Sequence, residues 1–221
     1  KIAVDPRAAA MGNSNMADAN DGSSLYWNPA LSARVEGSTI MASHTAYFAG
    51  ISQDYISVIQ SFDKFSVGLS MQYLGSGDIK ETTEFEPFGT GRMFSTNHYA
   101  IGLSAAQQVT DLFSYGITFK FLQENIEEVQ YSSGAIDFGF SYLVGDTGLR
   151  FAVGINNFGL DADPSGTTTR IDETDGVVVE APQEVNSLPT RFHIGAAYDL
   201  IDTEQNKLII TAQVTNPSDN A

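Results

Sequence analysis

The feature that most constrains this chain is an alternation of period two that recurs along most of its length. In Phe65-Ser-Val-Gly-Leu-Ser-Met-Gln-Tyr73 every odd position is large and apolar, and every even one is Ser, Gly or Gln. Successive side chains of a strand point to opposite faces, so such a segment has one greasy face and one small or polar face. The pattern recurs at 113–121, 136–142 and 149–156, and again at 99–105, 192–198 and 208–214. Segments 38–47 and 55–62 follow it more weakly and bring the predicted strands to nine. From Ser38 onward the chain reads as all-β.

Alternation alone suits a soluble sandwich or a transmembrane barrel, and the small face separates them. A sheet that faces water carries many Lys and Glu, yet here that face is mostly Gly, Ser, Ala and Thr, with isolated Lys120, Asp137 and Arg150. Charged residues are 17% of the chain, against roughly 25% in ordinary soluble domains. Small polar residues suit the crowded interior of an antiparallel barrel, and the apolar face would then meet lipid. Tyr73, Tyr99, Tyr142 and Tyr198 fall near strand ends, where the aromatic girdles of such barrels lie. The barrel is the reading carried forward. No run approaches the roughly 18 apolar residues of a membrane-spanning helix, and the segment at Lys1 has no signal-peptide pattern.

Connection lengths test the barrel independently, because short turns at one end should alternate with longer loops at the other. Short connections fall at 63–64, 109–111 and 145–148, and a shorter one at 201–206. Longer ones fall at 74–94, 124–133 and 159–189, with a short one at 49–53 that keeps the parity. The three longer loops hold 14 of the 27 carboxylates, so one pole is strongly anionic. With a net charge of −16 and only 11 Lys and Arg, the chain is unsuited to neutralising phosphates, which excludes nucleic acid. The absence of Cys excludes disulfides, thiolate metal sites and thiol nucleophiles. Residues 215–221 read as a polar turn directly after an apolar strand, so the chain is expected to be cut short there.

Residues 1–37 differ in kind: a helix-friendly Ala8-Ala9-Ala10-Met11-Gly12, then Asn, Asp, Gly and Ser up to Leu25-Tyr26-Trp27-Asn28-Pro29-Ala30. Asp5-Pro-Arg-Ala-Ala-Ala-Met-Gly12 with Ala19-Asn-Asp-Gly-Ser-Ser-Leu-Tyr-Trp-Asn-Pro-Ala30 resembles the opening of the PorV/PorQ outer-membrane proteins, relatives of the FadL fatty acid transporters. Asn28-Pro29-Ala30 is similar to the triplet of the FadL amino-terminal hatch. The resemblance implies an antiparallel transmembrane barrel of about fourteen strands in the outer membrane of Gram-negative Bacteroidetes and their relatives. It further implies a plug or hatch at 1–37, an incomplete barrel at 38–221 whose last strands are missing, extracellular loops and a periplasmic amino terminus. Members of the PorV type serve type IX secretion: they receive cargo through its carboxy-terminal signal domain and associate with translocon and attachment-complex subunits. They carry no cofactor.

Individual motifs have competing readings. Tyr26, Trp27, Asn28, Pro29 and Ala30 form either a gating hatch for a hydrophobic ligand or a plug that fills the interior, and Trp27 then needs a packed site with a partner for its ring N–H. Phe85, Phe88 and Phe94, with the island Val177-Val178-Val179, are apolar groups within an acidic rim, read as a protein contact or as loops packing on one another. Asp161, Asp163, Asp172, Glu173 and Asp175 lack the spacing of a calcium loop and read as a solvated acidic loop. His44, His98 and His193 lie on separate strands with no metal-ligand spacing, and no nucleophile signature is present. The leading expectation is a non-enzymatic secretion adaptor acting through its loops. The rival is a FadL-like channel for hydrophobic small molecules, to be told apart by whether the interior is a continuous apolar passage.

Overall fold

The predicted strands form one antiparallel meander in the computed structural model, which describes residues 2–126, 129–166, 168–171, 178–181 and 187–218. Two short helices, α1 (Pro6–Ala10) and α2 (Ser24–Trp27), and a 3-10 helix (Pro29–Arg34) precede it. Asp5 starts α1 by accepting the Ala8 N–H at 2.7 Å, with Pro6 at the first helical position. The strands are β1 (Ser38–Ala46), β2 (Ser52–Phe62), β3 (Phe65–Gly75), β4 (Ile79–Lys80), β5 (Met93–Phe94), β6 (Thr96–Gln108) and β7 (Phe113–Ile126). They continue with β8 (Val129–Leu143), β9 (Leu149–Gly159), β10 (Asp163–Ser165), β11 (Thr168–Ile171), β12 (Val178–Ala181), β13 (Arg191–Asp202) and β14 (Lys207–Pro217).

The main sheet has ten strands in the order β1-β2-β3-β6-β7-β8-β9-β13-β14, with β10 paired to β8 off this path. All nine strands read from the sequence are present, and the tenth is a short piece inside a predicted loop. β4 with β5, and β11 with β12, make small separate sheets, also within predicted loops. Two further boundaries differ from expectation. The 124–133 loop is largely strand, since β7 and β8 stay paired as far as Ile126 and Val129. The backbone ladder runs on past the end of the apolar alternation, where Gln123, Asn125 and Gln130 carry no period-two signal. Likewise Thr215, Asn216 and Pro217 are strand rather than turn, paired with His193, Phe192 and Arg191.

Sidedness is inverted relative to a soluble sheet. The large residues of the alternation point away from the amino-terminal segment and are exposed, including Leu69 at 54%, Leu103 at 61% and Phe119 at 55%. The face toward that segment buries Ser66, Ser104, Ser114, Thr118, Asp137 and Ser141. On β7 the outer face reads Phe113, Tyr115, Ile117, Phe119 and Phe121 before turning polar at Gln123. That is roughly 27 Å along the strand, or about 20 Å of height at a usual barrel tilt, near the roughly 25 Å of a membrane barrel's apolar band. Tyr73 and Tyr99 sit cross-strand at the loop end with ring centroids 5.1 Å apart, and Tyr142 and Tyr198 stand at the turn end of β8 and β13. The four tyrosines thus mark both rims. Among the described residues no helix is long and apolar enough to cross a membrane.

The antiparallel order puts the connections 63–64, 109–112, 144–148 and 203–206 at one end and the longer ones, with their extra strands, at the other. β9 carries a bulge where Asn156 and Asn157 stand against Asp137, and Asn157 adopts a φ of 56°. Asp137 takes over the lost ladder partner, accepting the Asn157 N–H at 2.8 Å and the Asn156 amide at 2.8 Å.

Leu103 sits at mid-height of the outer face, opposite Leu69 and Phe119. Leu103→Arg is expected to cost about 2–4 kcal/mol of stability in lipid vesicles, read by guanidinium unfolding, whereas an inward Ser104→Ala change costs about 1 kcal/mol. Equal costs for the two would contradict the inverted sidedness.

Candidate functional site

The inner face of the sheet receives residues 2–35 on a seat of glycines. Gly116, Gly139 and Gly154 are direct cross-strand partners on β7, β8 and β9, so three neighbouring strands expose bare backbone at one level. A Cβ at Gly116 would meet the Pro29 carbonyl carbon at 2.5 Å, and one at Gly68 would meet a Leu25 methyl at 2.6 Å. Asn28 lies against Gly139, and Met16 against Gly154 and Gly195. Only the missing side chains permit this approach.

Asn28 is fully buried and uses its whole amide. Its Nδ2 donates to the Phe140 carbonyl at 3.1 Å and the Met16 carbonyl at 3.3 Å, while Oδ1 accepts the Ala30 N–H at 3.0 Å and caps the 3-10 helix that Pro29 opens. Trp27 has the partner its indole needs: Nε1 donates to Asp5 Oδ2 at 2.9 Å, and its ring meets Tyr26 edge to face at 5.1 Å. Tyr26 donates to the Ile2 carbonyl at 3.3 Å. Burial, reinforced by Asp137 and Asp5, pushes its hydroxyl up to about 12, so it stays a donor at any physiological pH. Ala30 is buried beneath the same turn.

Ion pairs complete the attachment. Arg150 on β9 donates to both oxygens of Asp199 on β13, at 2.6 and 2.8 Å, and to Asp18 of the segment at 2.7 Å. Arg7 pairs with the same Asp18 carboxylate. Further bonds run from Tyr55 and Ser57 on β2 to the Gly22 carbonyl, from Gln53 to the Ala3 carbonyl, and from the Met16 N–H to Gln213 on β14. The segment is thereby tied to β2 near one end of the sheet and to the outlying β14 at the other, as well as to its centre.

Toward the loop end the inner face opens into a chamber of about 850 Å³. Ile2 and Tyr26 line it from the segment; Gln72, Lys120, Tyr131 and Thr215 line it from the strands. Lys120 pairs with fully buried Asp137 at 2.5 Å and donates to Asn157 at 3.3 Å. The lining mixes these polar groups with apolar ones from Leu74, Leu122, Leu188 and Pro189.

The predicted loop residues are dispersed. Phe85 and Phe88 stand 93% and 92% exposed in the segment between β4 and β5, beside Glu84 and Glu86. Phe94 is half-buried in β5, opposite Ile79. Val178 and Val179 belong to β12, paired with Ile171 and Arg170, while Val177, Asp172, Glu173 and Asp175 lie outside the described residues. The histidines stay apart: His44 bonds Asp54 at 2.7 Å on the outer face, His98 pairs with Glu124 at 3.5 Å, and His193 meets Thr215 at 2.9 Å. Among the described residues no cluster of three or more potential metal ligands occurs. The alternation flagged Lys120, Asp137 and Arg150 as odd charges on a small face, but Asp18 was indistinguishable from its polar surroundings in sequence.

An open antiparallel sheet with an apolar outer band, a small inner face and a folded amino-terminal segment is the arrangement of an outer-membrane β-sheet protein. A solved structure described as the TodX deltaS2S3 mutant monoaromatic hydrocarbon channel superposes with a TM-score of 0.61 over 96% of this chain and 69% of that one, at 13% identity, a likeness of fold alone. The model of the family described as type IX secretion system protein PorV matches residues 1–217, and the chain belongs to that family. Its members are outer-membrane components of type IX secretion. No curated protein matches the sequence significantly.

Asn28→Ala removes two donor bonds and a cap from a buried site and is expected to cost about 2–4 kcal/mol, with residues 2–35 becoming sensitive to limited proteolysis before the sheet unfolds. Asp137→Ala strands Lys120 and the Asn157 N–H and is expected to cost about 3–5 kcal/mol in the same unfolding assay. Unchanged protease resistance in Asn28→Ala would show that the glycine seat and the remaining bonds to β2, β9 and β14 hold the segment without Asn28.

Proposed function

We propose that this chain is a non-enzymatic adaptor of type IX secretion that binds translocon subunits, or cargo through its carboxy-terminal signal domain, with the loops at the end bearing β4 and β5. On this reading those loops are extracellular, the amino terminus is periplasmic, and residues 1–37 act as a fixed plug rather than a moving hatch. The observation that carries the adaptor reading is the exposure of Phe85 and Phe88 beside acidic side chains. Two nearly bare aromatic rings cost free energy in water and are recovered when a partner covers them.

Support for a fixed plug comes from the number and kind of its attachments. A hatch that swings must break the Asp18–Arg150 ion pair and lift Asn28 from the glycine seat, each step leaving buried polar groups without partners. A second reading, passage of hydrophobic small molecules, draws on the TodX likeness and on the presence of a chamber. Its lining sets Leu74, Leu122 and Leu188 beside polar side chains such as Gln72 and Lys120.

Phe85→Ser with Phe88→Ser is expected to weaken capture of translocon subunits or signal-bearing cargo from solubilised outer membranes by about tenfold, about 1.4 kcal/mol, without changing the unfolding midpoint. Full capture by the double variant would move the contact elsewhere on the loops. Co-purified hydrocarbon or fatty acid, with no protein partner, would favour the channel.

A further inference from the structure

The segment between β4 and β5 carries more internal bonding than a solvated acidic loop requires. Two consecutive four-residue turns make its tip. In the first, the Glu86 N–H donates to the Thr83 carbonyl at 3.2 Å and to Thr83 Oγ1 at 3.0 Å, with Glu84 and Phe85 at the centre. In the second, the Gly89 N–H donates to the Glu86 carbonyl at 3.0 Å across Pro87 and Phe88, with proline at its preferred place in a turn. Below the tip Thr90 donates twice to Glu81, from its N–H to the carbonyl at 3.0 Å and from its hydroxyl to the carboxylate at 2.6 Å. The backbone under Phe85 and Phe88 is thus held in place while both rings stand bare. The cations of the segment are engaged: Lys80 Nζ donates to the Phe88 carbonyl at 3.2 Å, and Arg92 faces the Glu81 carboxylate at 3.7 Å. Glu84 and Glu86, on either side of Phe85, have no ion-pair partner among the described residues.

We propose that this tip binds an arginine-bearing segment of a protein partner, with guanidinium groups over the Phe85 and Phe88 rings and against the Glu84 and Glu86 carboxylates. An uncharged apolar partner would cover the rings but draw two carboxylates toward a drier surface with nothing to match them. An acidic partner would meet like charge, on a pole that holds 14 of the 27 carboxylates. Arginine satisfies both groups at once. Its planar guanidinium stacks on an aromatic face and offers paired donors to a carboxylate, whereas the lysine ammonium is a more strongly hydrated point charge. Because the turns are already bonded, little backbone freedom is lost on contact. The inference rests on the adaptor reading for the partner being a protein, and the chemistry of the tip is measured separately from capture of that partner.

The test uses immobilised peptides carrying three repeats of Gly-Arg-Ser, Gly-Lys-Ser or Gly-Leu-Ser, over which the full protein in phosphatidylcholine nanodiscs is passed in biolayer interferometry. The arginine peptide is expected to bind about three- to fivefold more tightly than the lysine peptide of equal charge, and the leucine peptide least. Phe85→Ser with Phe88→Ser should abolish the preference for arginine over lysine while leaving the attraction of charge. Glu84→Gln with Glu86→Gln should weaken both basic peptides, and Asp146→Asn, at the turn end, neither. Unfolding midpoints check each variant, and a double variant that shifts the midpoint is replaced by the single Phe85→Ser or Glu84→Gln. The proposal is overturned if the arginine peptide does not bind, if lysine matches arginine, if leucine binds most tightly, or if the preference survives loss of both rings. An arginine preference without capture of translocon or cargo would sink the adaptor reading alone, and capture without the preference would sink this inference alone.

Discussion

In hydrocarbon every backbone N–H and C=O has to find its partner within the protein, and this requirement shapes the whole chain. A ten-stranded antiparallel sheet meets it across its interior, where each of β2 through β13 along the main path is paired on both sides. Once the outer surface is lipid, apolar side chains gain nothing by turning inward. Leu69, Leu103 and Phe119 can remain exposed, and the inner face is left to residues chosen for size. What would be a misfolded sheet in water is a consistent one in a membrane.

Small inner residues create the second constraint, because a sheet whose inner face is Gly, Ser and Ala cannot fill its own interior. The amino-terminal segment supplies the missing volume, and it does so with backbone as well as side chains. Pro29 and Ala30 reach the main chain of Gly116, and Asn28 bonds a carbonyl of β8 across the bare Cα of Gly139. Charge enters only in pairs: Arg150 is shared by Asp18 and Asp199, and Lys120 is held by Asp137. At positions buried as these are an unpaired charge would be expelled or neutralised, so pairing is a condition for these residues being there at all.

Much of this was legible in the alternation. Phe65 to Tyr73 announced both the strand and its inverted faces, and the isolated Lys120, Asp137 and Arg150 stood out because nothing else on that face was charged. The Trp27 need for a buried partner was also foreseeable, though its identity as Asp5 was not. What the pattern missed was structure without an apolar period. The paired ends of β7 and β8 are polar on both faces, and Asn216 and Pro217 read as a turn although their backbone continues the ladder. Asp18 was missed for a related reason: in a stretch of Asn, Asp and Ser, an ion pair with Arg150 of β9 leaves no local mark.

Likeness of fold constrains the outside of such a sheet far more than its inside. The outer face answers to one solvent and repeats large apolar residues there, while a TM-score of 0.61 at 13% identity records a shared backbone arrangement alone. The inner face answers to whatever occupies it, as the glycines under residues 2–35 do. Here the bulge at Asn156 and Asn157 turns Asn157 toward Lys120 and the chamber, and Asp137 fixes both. The place of Asn157 beside the chamber is therefore set by the backbone of β9, a detail that belongs to this sequence rather than to the architecture it shares.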